Sequence, residues 1–392
     1  MRPLDGITVL TLEHAVSAPF ATRHLADLGA RVIKVERPDG GDFARGYDET
    51  VLGLSSYFVW LNRSKESLSL NLKHPRAREI LTRLLERTDV FVQNLAPGAT
   101  GRLGLGWEEL LRRQPRLIVC DISGYGDSGP YRDKKAYDLL IQSEAGLLTI
   151  TGSPDTPSKA GISIADIAAG TYAYSGILSA LYQREKTGQG MRIQVSMLEA
   201  LGEWMGCPLY YSHYGGAAPP RTGASHATIY PYGPFRTGDG KSVMLGVQNE
   251  REWAAFCDRV LGCPEMARDP RFESNSRRVA NRATLGSAIE RVFSSLTAEE
   301  VLLRLEAAQV ANARVNQMEE VWKHPQFAAR GRWREVQTPA GTISALLPPA
   351  TLSTCEASMG GVPALGQHTD AVLSELGFST GEITELRAEA VV

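Results

Sequence analysis

One aspartate, Asp166, lies where a glycine-bearing loop leads into a long apolar stretch with helical periodicity. The loop begins at Gly161, and the periodic stretch covers residues 171–182. The first turn of a helix has free N–H groups and a partial positive charge, so it favours an ionised carboxylate. An ionised aspartate can act as a covalent nucleophile. Aspartate is equally a favoured helix cap, and these residues alone leave both roles open.

Basic side chains form a second candidate group, because each follows a predicted strand or lies in a loop near one. A single residue of this kind is most often a solvated surface charge. Four cations around one rim of a sheet could instead hold a polyphosphate ligand. The four residues are Arg37, Lys73, Arg102 and Lys135.

The first 200 residues alternate between short apolar strands and amphipathic helices. Strands are predicted at residues 7–12, 31–36, 90–94 and 117–122, and helices at residues 19–28, 75–87 and 107–113. This alternation predicts an α/β fold in which a mostly parallel, Rossmann-like sheet is covered on both faces. Ligands of such folds gather at the carboxyl ends of the strands, where Glu36, Asn94 and Ser123 are expected.

The chain changes character near residue 215, where loops rich in glycine and proline appear. A predicted strand at residues 242–247 and several helices, of which residues 297–308 form the clearest, indicate a second, smaller α/β domain. The tail contains two more predicted helices, at residues 370–376 and 380–388. The pattern alone leaves open whether this tail returns to the first domain.

Composition excludes several classes of protein. With 43% hydrophobic and 22% charged residues the chain is typical of a soluble globular protein, and its net charge of −2 offers no field that attracts nucleic acid or anionic membranes. The five cysteines are scattered, as expected for reduced thiols rather than disulfides or a zinc site. We find no signal-peptide pattern and no apolar run of about 18 residues, so we expect a cytoplasmic location.

Common nucleotide and hydrolase motifs do not explain the chain. Residues 124–129 match G-x-G-x-x-G after a predicted strand, but Pro130 and a polar run follow, so no helix opens there as dinucleotide binding requires. We therefore interpret this segment as a glycine-rich turn. The sequence also contains no Walker A loop and no G-x-S-x-G elbow.

Together, a set of short motifs in a fixed order resembles the class III CoA-transferases, the CaiB/BaiF family, from residue 4 to about 380. The pieces are Glu36-Arg-Pro…Gly41-Asp42, Asn62-Arg-Ser-Lys65, Asn71-Leu-Lys73, Gln93-Asn-Leu-Ala-Pro-Gly98, Ile122-Ser-Gly-Tyr-Gly126, Lys135-Ala-Tyr-Asp138, Asp166-Ile-Ala-Ala-Gly170 and Gly188-Gln-Gly190…Val195-Ser-Met-Leu-Glu199. No single piece is specific, but the ordered set is.

The resemblance implies an interlocked, ring-like homodimer with no metal, no ATP and no permanently bound cofactor. Residues 1–200 would form the large domain, 201–225 a linker, 226–320 the small domain, and 321–392 a second linker and a C-terminal part that returns to the large domain. The nucleophile would be Asp166, and coenzyme A or acyl-CoA would be a substrate. By motif, the CoA contacts fall on Val16, Ser17, Arg37, Leu70, Asn71, Leu72, Lys73, Asn94, Leu95, Ala96, Arg102, Lys135, Ala136, Tyr137 and Asp138.

One departure from the family bears on the acceptor acid. Oxalate-specific members carry a glycine run in the small domain, and this chain has Ser225-His226-Ala-Thr-Ile-Tyr230 at the comparable place. That difference disfavours oxalate and favours members that move CoA between succinate and itaconate, citramalate or glutarate. We expect His226, with Arg221 as a second partner, to contact the distal carboxylate of such an acid.

Two alternatives remain beside an acyl-CoA:carboxylate CoA-transferase. An α-methylacyl-CoA racemase shares the resemblance but needs an acid–base pair, and the histidine that racemases place before the aspartate of Lys135–Asp138 is Tyr137 here. A non-catalytic acyl-CoA-binding protein would be expected to lack the aspartate at position 166. The presence of Asp166 and Tyr137 favours transfer over both.

Overall fold

The computed structural model describes all 392 residues, and the chain divides into two compact units. The first unit comprises Met1–Ala145, Ala160–Met205 and Phe327–Val392, and the second comprises Gly146–Lys159 and Gly206–Gln326. These bounds differ from those expected from the sequence, because residues 146–159 and 206–225 belong to the second unit. More than half of the expected linker at residues 201–225 is helical.

A six-stranded parallel sheet forms the centre of the first unit, in the order β3-β2-β1-β4-β5-β6. Its central strands are almost fully buried, as expected when helices cover both faces of a parallel sheet. The predicted mostly parallel, Rossmann-like sheet is thus confirmed. The strands are β1 (Thr8–Leu12), β2 (Arg31–Glu36), β3 (Lys65–Ser69), β4 (Val90–Gln93), β5 (Ile118–Ser123) and β6 (Arg192–Ser196).

The helices agree with the periodicity of the sequence in most places. Between residues 138 and 150, Gly146 has a positive φ of 78° and separates two short helices. The helices are α1 (Ser17–Asp27), α2 (Ser56–Leu61), α3 (Ala77–Leu85), α4 (Ala99–Arg102), α5 (Trp107–Arg113), α6 (Asp138–Glu144), α7 (Leu147–Ile150), α8 (Ile164–Thr187), α9 (Met197–Trp204), α10 (Gly206–Gly215), α11 (Glu250–Ala255), α12 (Asn275–Ala280), α13 (Arg282–Phe293), α14 (Ala298–Ala307), α15 (Met318–Trp322), α16 (Pro325–Ala329), α17 (Thr369–Glu375) and α18 (Thr380–Ala388).

The second unit has its own sheet and core. Three antiparallel strands, β7 (Tyr232–Arg236), β8 (Ser242–Gly246) and β9 (Ala311–Arg314), pack against helices α11, α13 and α14. Aromatic side chains such as Trp253, Phe256 and Phe293 fill the core between them. The change in sequence character near residue 215 predicts a small mixed α/β unit of this kind.

The C-terminal tail completes the first unit. It contains a two-stranded hairpin, β10 (Trp333–Thr338) and β11 (Gly341–Leu346), and helices α17 and α18, whose apolar residues join the core beside the sheet. The tail also bonds to the end of β3: the N–H of Asn71 donates to the carbonyl of Val391 at 2.7 Å. The segment after β3 is therefore held by the last residues of the chain.

Helix α8 connects β5 to β6, two parallel neighbours in the sheet. A helix that crosses over between parallel strands runs antiparallel to them and begins at their carboxyl ends. The loops after β1, β2, β3, β4 and β5 emerge at that same edge. The first turn of α8, which carries Asp166, therefore shares the edge with all the segments expected to contact CoA. None of the helices is long and apolar enough to span a membrane.

Candidate active site

Asp166 is the third residue of α8, and its side chain is half-buried. It does not cap the helix, because the cap position belongs to Ser163. The first turn is capped instead by Asp138, whose Oδ1 accepts from the N–H groups of Ala165 at 2.8 Å and Asp166 at 3.3 Å. The reading of Asp166 as a mere helix cap is therefore wrong, and its carboxylate remains available for chemistry.

The pKa of Asp166 is raised to about 7. Burial is the largest cause, because it removes water from the charged form, and the neighbouring negative charge of Asp138 adds to it. This corrects the expectation that the helix N-terminus holds the carboxylate fully ionised. Burial, together with a second carboxylate that already caps the free N–H groups, outweighs the helix dipole.

Ser17 is the group that favours the ionised form of Asp166. Its hydroxyl and its backbone N–H both hydrogen-bond to the carboxylate and lower its pKa. Helix α1 begins at Ser17, so its N-terminus points at the nucleophile. Gly170 makes this approach possible, since a Cβ at Gly170 would lie 2.6 Å from the carbonyl oxygen of Ser17. The glycine of the Asp166–Gly170 motif is thus explained by the packing of α8 on α1.

Asn94, after β4, ties the loop after β1 to the next strand. Its Oδ1 accepts from the N–H of His14 at 2.9 Å, and its Nδ2 donates to the carbonyl of His14 at 2.9 Å and to the hydroxyl oxygen of Ser17 at 3.2 Å. Because the Ser17 oxygen accepts from Asn94, its own proton is free to point toward Asp166. Strands β1 and β4 are where the strand order reverses, which is the usual ligand crevice of such sheets.

Three of the four predicted phosphate-binding cations are exposed and form no ion pair: Lys73 after β3, Arg102 in α4, and Lys135 in the loop before α6. Arg37, after β2, is partly engaged, because its Nε donates to the carbonyl of Gly41 at 2.9 Å and Asp39 lies 3.7 Å away. All four lie in segments that leave the same edge of the sheet.

The other predicted CoA contacts divide into two kinds. The side chains of Val16, Leu70, Leu72 and Leu95 belong to the apolar interior, so only their backbone groups can meet a ligand. Ala96 and Tyr137 are exposed, while Asn71 is half-buried. The Asp138 carboxylate caps α8 and accepts from Gln142, and its predicted CoA contact stays a prediction.

Ala136 explains the glycine-rich turn after β5. A Cβ at Gly124 would lie 2.2 Å from the Cβ of Ala136, so only glycine lets the loop of residues 134–138 cross this turn. The chain stays irregular from Gly124 until α6 begins at Asp138. The interpretation of residues 124–129 as a turn rather than a dinucleotide-binding loop is confirmed.

Within the second unit, His226 lies exposed in a well-anchored loop. Its ring stacks on Tyr232 at 5.3 Å, and its Nδ1 accepts from the N–H of Thr228 at 3.2 Å. Asn275, Arg278 and Arg282 of helices α12 and α13 donate to four backbone carbonyls of this loop, those of residues 226, 227, 228 and 230. With Nδ1 accepting, the neutral ring carries its proton on Nε2 and presents a donor there.

The guanidinium of Arg221 is engaged by backbone carbonyls of its own unit. Its guanidinium donates to the carbonyls of Ser153 at 3.0 Å and Pro154 at 2.7 Å, so it holds residues 149–154 to the loop that follows α10. A guanidinium already engaged by backbone carbonyls is a poor partner for a substrate carboxylate. Of the two residues expected to read the distal carboxylate, the structure leaves His226 available.

Sequence reasoning missed Tyr47, which is electrostatically coupled to Asp166, and its neighbour Tyr57. Tyr47 has a raised pKa, caused first by burial and then by the charges of Asp42 and Asp166, which places its hydroxyl in the same electrostatic environment. Tyr57 stacks edge-on against Tyr47 at 5.5 Å. No motif marks these tyrosines. No group of three or more His, Cys, Asp or Glu side chains could hold a metal ion.

Comparison with known proteins decides the family. Residues 4–369 match the model of CoA-transferase family III. The chain belongs to this family. It is accordingly a CoA-transferase, and the resemblance predicted from its ordered motifs is confirmed.

Its relatives carry more than one substrate name. The human succinyl-CoA:glutarate CoA-transferase is 34% identical over 397 residues, which cover 100% of this chain and 90% of the relative. An acetyl-CoA:oxalate CoA-transferase from Acetobacter aceti is 39% identical over 330 residues and 84% of each chain. Relatives named for glutarate and for oxalate both match, so similarity alone does not select the acceptor acid.

A solved structure shows the same fold. A CaiB/BaiF family protein from Brucella suis superposes with a TM-score of 0.84 at 33% identity, covering 96% of this chain and 99% of that one. The six-stranded parallel sheet and the mixed α/β architecture are those of the family.

Proposed function

We propose that this CoA-transferase moves CoA between small carboxylic acids, dicarboxylic acids among them, through covalent intermediates on Asp166. The observation that carries the proposal is the Asp166 carboxylate itself. It lies at the start of α8, faces the N-terminus of α1, and has a pKa raised to about 7 by burial and by Asp138. A strongly perturbed carboxyl group at the ligand edge of a parallel sheet is a candidate nucleophile on physical grounds.

The exchange proceeds in four attacks. Asp166 attacks the thioester carbonyl of the donor acyl-CoA, the C–S bond breaks, and CoA thiolate leaves behind a mixed anhydride. The thiolate then attacks the Asp166 carbonyl, which releases the donor acid and forms an aspartyl-CoA thioester. The acceptor carboxylate attacks this thioester and expels the thiolate, and the thiolate finally attacks the acceptor acyl carbon. The products are the new acyl-CoA and free Asp166, so the thioester energy is conserved and ATP is not needed.

The raised pKa suits this sequence. A carboxylate with a pKa near 7 is more basic than an exposed aspartate, and it is still about half ionised at neutral pH. Removal of water strengthens the nucleophile and also protects the anhydride from hydrolysis. Hydrogen bonds from the hydroxyl and N–H of Ser17 keep the ionised form accessible.

Arg37, Lys73, Arg102 and Lys135 are proposed to bind the phosphates and the adenine end of CoA. All four are exposed at one edge of the sheet, and Lys73, Arg102 and Lys135 form no ion pair, which supports this role. Backbone groups of Val16, Leu70 and Leu95 lie in the same set of loops, where N–H and carbonyl groups can meet the adenine and pantetheine parts.

The acceptor is proposed to be a dicarboxylate whose distal carboxylate accepts a hydrogen bond from Nε2–H of His226. The anchored loop and the fixed tautomer support a specific contact. Succinyl-CoA with itaconate, citramalate or glutarate is the combination to test first. Product masses from a matrix of acyl-CoA donors against mono- and dicarboxylates, with oxalate included, identify the pair with the highest kcat/KM. Exclusive use of oxalate or of monocarboxylates would contradict the dicarboxylate proposal.

A homodimer is also proposed. Helix α10 presents Leu209, Tyr210, Tyr211 and Tyr214 to solvent, and large exposed side chains of this kind mark a contact surface. Light scattering of the full chain should give twice the 42.7 kDa of one chain. A monomer at micromolar concentration would contradict this part of the proposal.

Asp166→Asn tests the function directly, with Asp133→Asn as the control. Asp133 is an exposed carboxylate in the loop before α6. Loss of a covalent nucleophile should lower kcat by several orders of magnitude, because no other residue replaces it. The control should keep the activity of the unmodified enzyme, and near-normal turnover of Asp166→Asn would reject the mechanism.

A further inference from the structure

Four buried charges lie behind the loop that carries Ser17, and the chemistry above does not use them. They are Glu13, Lys34, Asp42 and Lys65. The Nζ of Lys34 lies 2.6 Å from Oδ2 of Asp42 and 3.4 Å from Oε1 of Glu13, and the Nζ of Lys65 lies 2.6 Å from that same Oε1. Two cations thus balance two anions inside the first unit.

Asp42 uses its other oxygen on the loop itself. Its Oδ1 accepts from the N–H of Ala15 at 3.0 Å and from the N–H of Ala44 at 3.0 Å. Ala15 has a φ of 59°, a left-handed conformation that residues other than glycine rarely adopt unless their surroundings hold them there. Ala15 stands two residues before Ser17, so its conformation sets the direction in which α1 begins.

The motif Glu36-Arg-Pro…Gly41-Asp42 explains how Asp42 reaches this place. Gly41 has a φ of 67°, and a Cβ there would lie 2.7 Å from Oε1 of Glu36. The N–H of Asp42 donates to the same carboxylate oxygen at 3.0 Å. The turn after β2 therefore folds back on Glu36, and the ion pair with Lys34 fixes the Asp42 side chain under the loop after β1.

We propose that Asp42 is a positioning residue for the nucleophile: it holds Ala15 in the left-handed conformation and so aims the hydroxyl and N–H of Ser17 at Asp166. The inference rests on the proposed role of Asp166. Asp42 does not act through its charge, because Lys34 neutralises it at 2.6 Å and the charge that perturbs Asp166 is that of Asp138. It touches neither substrate nor reacting atoms.

The two possible modes of action of Asp42 predict opposite shifts of the pKa of Asp166 when Asp42 is removed. If Asp42 positions Ser17, its loss weakens hydrogen bonds that favour the ionised form, and the pKa of Asp166 rises. Each lost hydrogen bond to a charged group moves the acid limb of the kcat/KM profile up by about one pH unit. If Asp42 acted as a nearby negative charge, its removal would move the acid limb down.

The test compares four variants of the full-length enzyme by kcat/KM against pH and by thermal melting. Asp42→Ala removes the acceptor for the Ala15 N–H, and Asp42→Asn keeps an acceptor oxygen. Ala15→Val leaves the ion pairs intact but disfavours a positive φ, because a β-branched residue is strained there. The matched control is Asp39→Asn, because Asp39 is an exposed carboxylate in the loop after β2 that also carries Asp42.

The positioning role predicts that the acid limb rises by about one pH unit or more in Asp42→Ala and in Ala15→Val, and stays in place in Asp42→Asn and Asp39→Asn. Ala15→Gly should restore part of the loss in the Asp42→Ala background, since glycine adopts a positive φ without support. If Asp42→Ala does not fold, Ala15→Val decides. A limb that falls or stays in place in Ala15→Val overturns the inference.

Asp166→Ala, measured in the same series, separates this inference from the proposed function. An active Asp166→Ala variant would reject the function as well. An inactive Asp166→Ala variant together with an unmoved acid limb in Ala15→Val would reject the positioning role alone.

Discussion

Mutation of Asp138 tests the environment of Asp166, because the Asp138 carboxylate caps α8 and also repels the charge of Asp166. Asp138→Asn removes the charge and keeps an oxygen that can accept from the N–H groups of Ala165 and Asp166. We therefore expect the pKa of Asp166 to fall below its value of about 7 while the helix start stays capped. Asp138→Ala would remove the cap as well and would confuse the two effects.

The size of the effect follows from the geometry. Oδ1 of Asp138 lies 3.3 Å from the backbone nitrogen of Asp166. That places the two carboxylate charges on the order of 6 Å apart, within one helical turn. With an effective dielectric constant of about 40, Coulomb's law gives about 1.4 kcal/mol, which is a tenfold change in the ionisation equilibrium.

Only the ionised form of Asp166 attacks, so the acid limb of kcat/KM should move down by about one pH unit. At pH 6 the ionised fraction should rise from about one tenth to about one half, and kcat/KM should increase about fivefold. Near pH 9 both enzymes are fully ionised and should differ little. Steady-state assays with saturating acceptor from pH 5 to 9 measure both limits, with Asp133→Asn as control. An acid limb that stays in place or rises in Asp138→Asn would refute this account of the Asp166 environment.

Three other predictions follow from the same geometry. Alanine at each CoA-binding cation should raise the KM for acyl-CoA more than it lowers kcat, because remote contacts contribute mainly to uniform binding, and unchanged KM values in all variants would remove the assignment. These cations are Arg37, Lys73, Arg102 and Lys135. His226→Ala should weaken dicarboxylate acceptors and spare monocarboxylates of similar size, whereas equal losses would show that the side chain only supports its loop; His213→Ala, exposed in α10, is the control. Asp166→Asn should raise Tm more at pH 8 than at pH 5. Folding raises the pKa of Asp166, so this carboxyl destabilises the folded protein increasingly as pH rises from about 4 to about 7, and the substitution removes that effect. An equal change in Tm at both pH values would contradict the raised pKa.

Local sequence patterns were sufficient to predict most of the strands and helices that position the site. Strand β2 was predicted with its observed bounds, and so were helices α5 and α18, since their periodicity is strong and their ends are marked. Strand β3 was missed, because Lys65-Glu-Ser-Leu-Ser69 reads as polar. Its lysine is buried because Glu13 lies 2.6 Å from its Nζ, and that partner is 52 residues away in the sequence.

In the candidate site too, local features could be predicted from the sequence and long-range contacts could not. Asp166 and the cations could be proposed because motif and strand position mark them, and the family was recognised from the ordered motifs. The electrostatics were not predicted, since the raised pKa of Asp166 depends on Asp138, 28 residues earlier in the chain, and on burial. The contacts of Arg221 were not predicted for a related reason: whether a guanidinium is free depends on which carbonyls the fold brings to it.

Trapping the covalent intermediate tests the central claim most directly. The enzyme is mixed with succinyl-CoA without acceptor, hydroxylamine is added, and the digested chain is examined by mass spectrometry. The mechanism predicts an aspartyl hydroxamate on the peptide that contains Asp166, formed from the anhydride or the CoA thioester, and none in Asp166→Asn. A hydroxamate on another residue, or full turnover with no adduct on Asp166 at any time point, would contradict covalent catalysis by this residue.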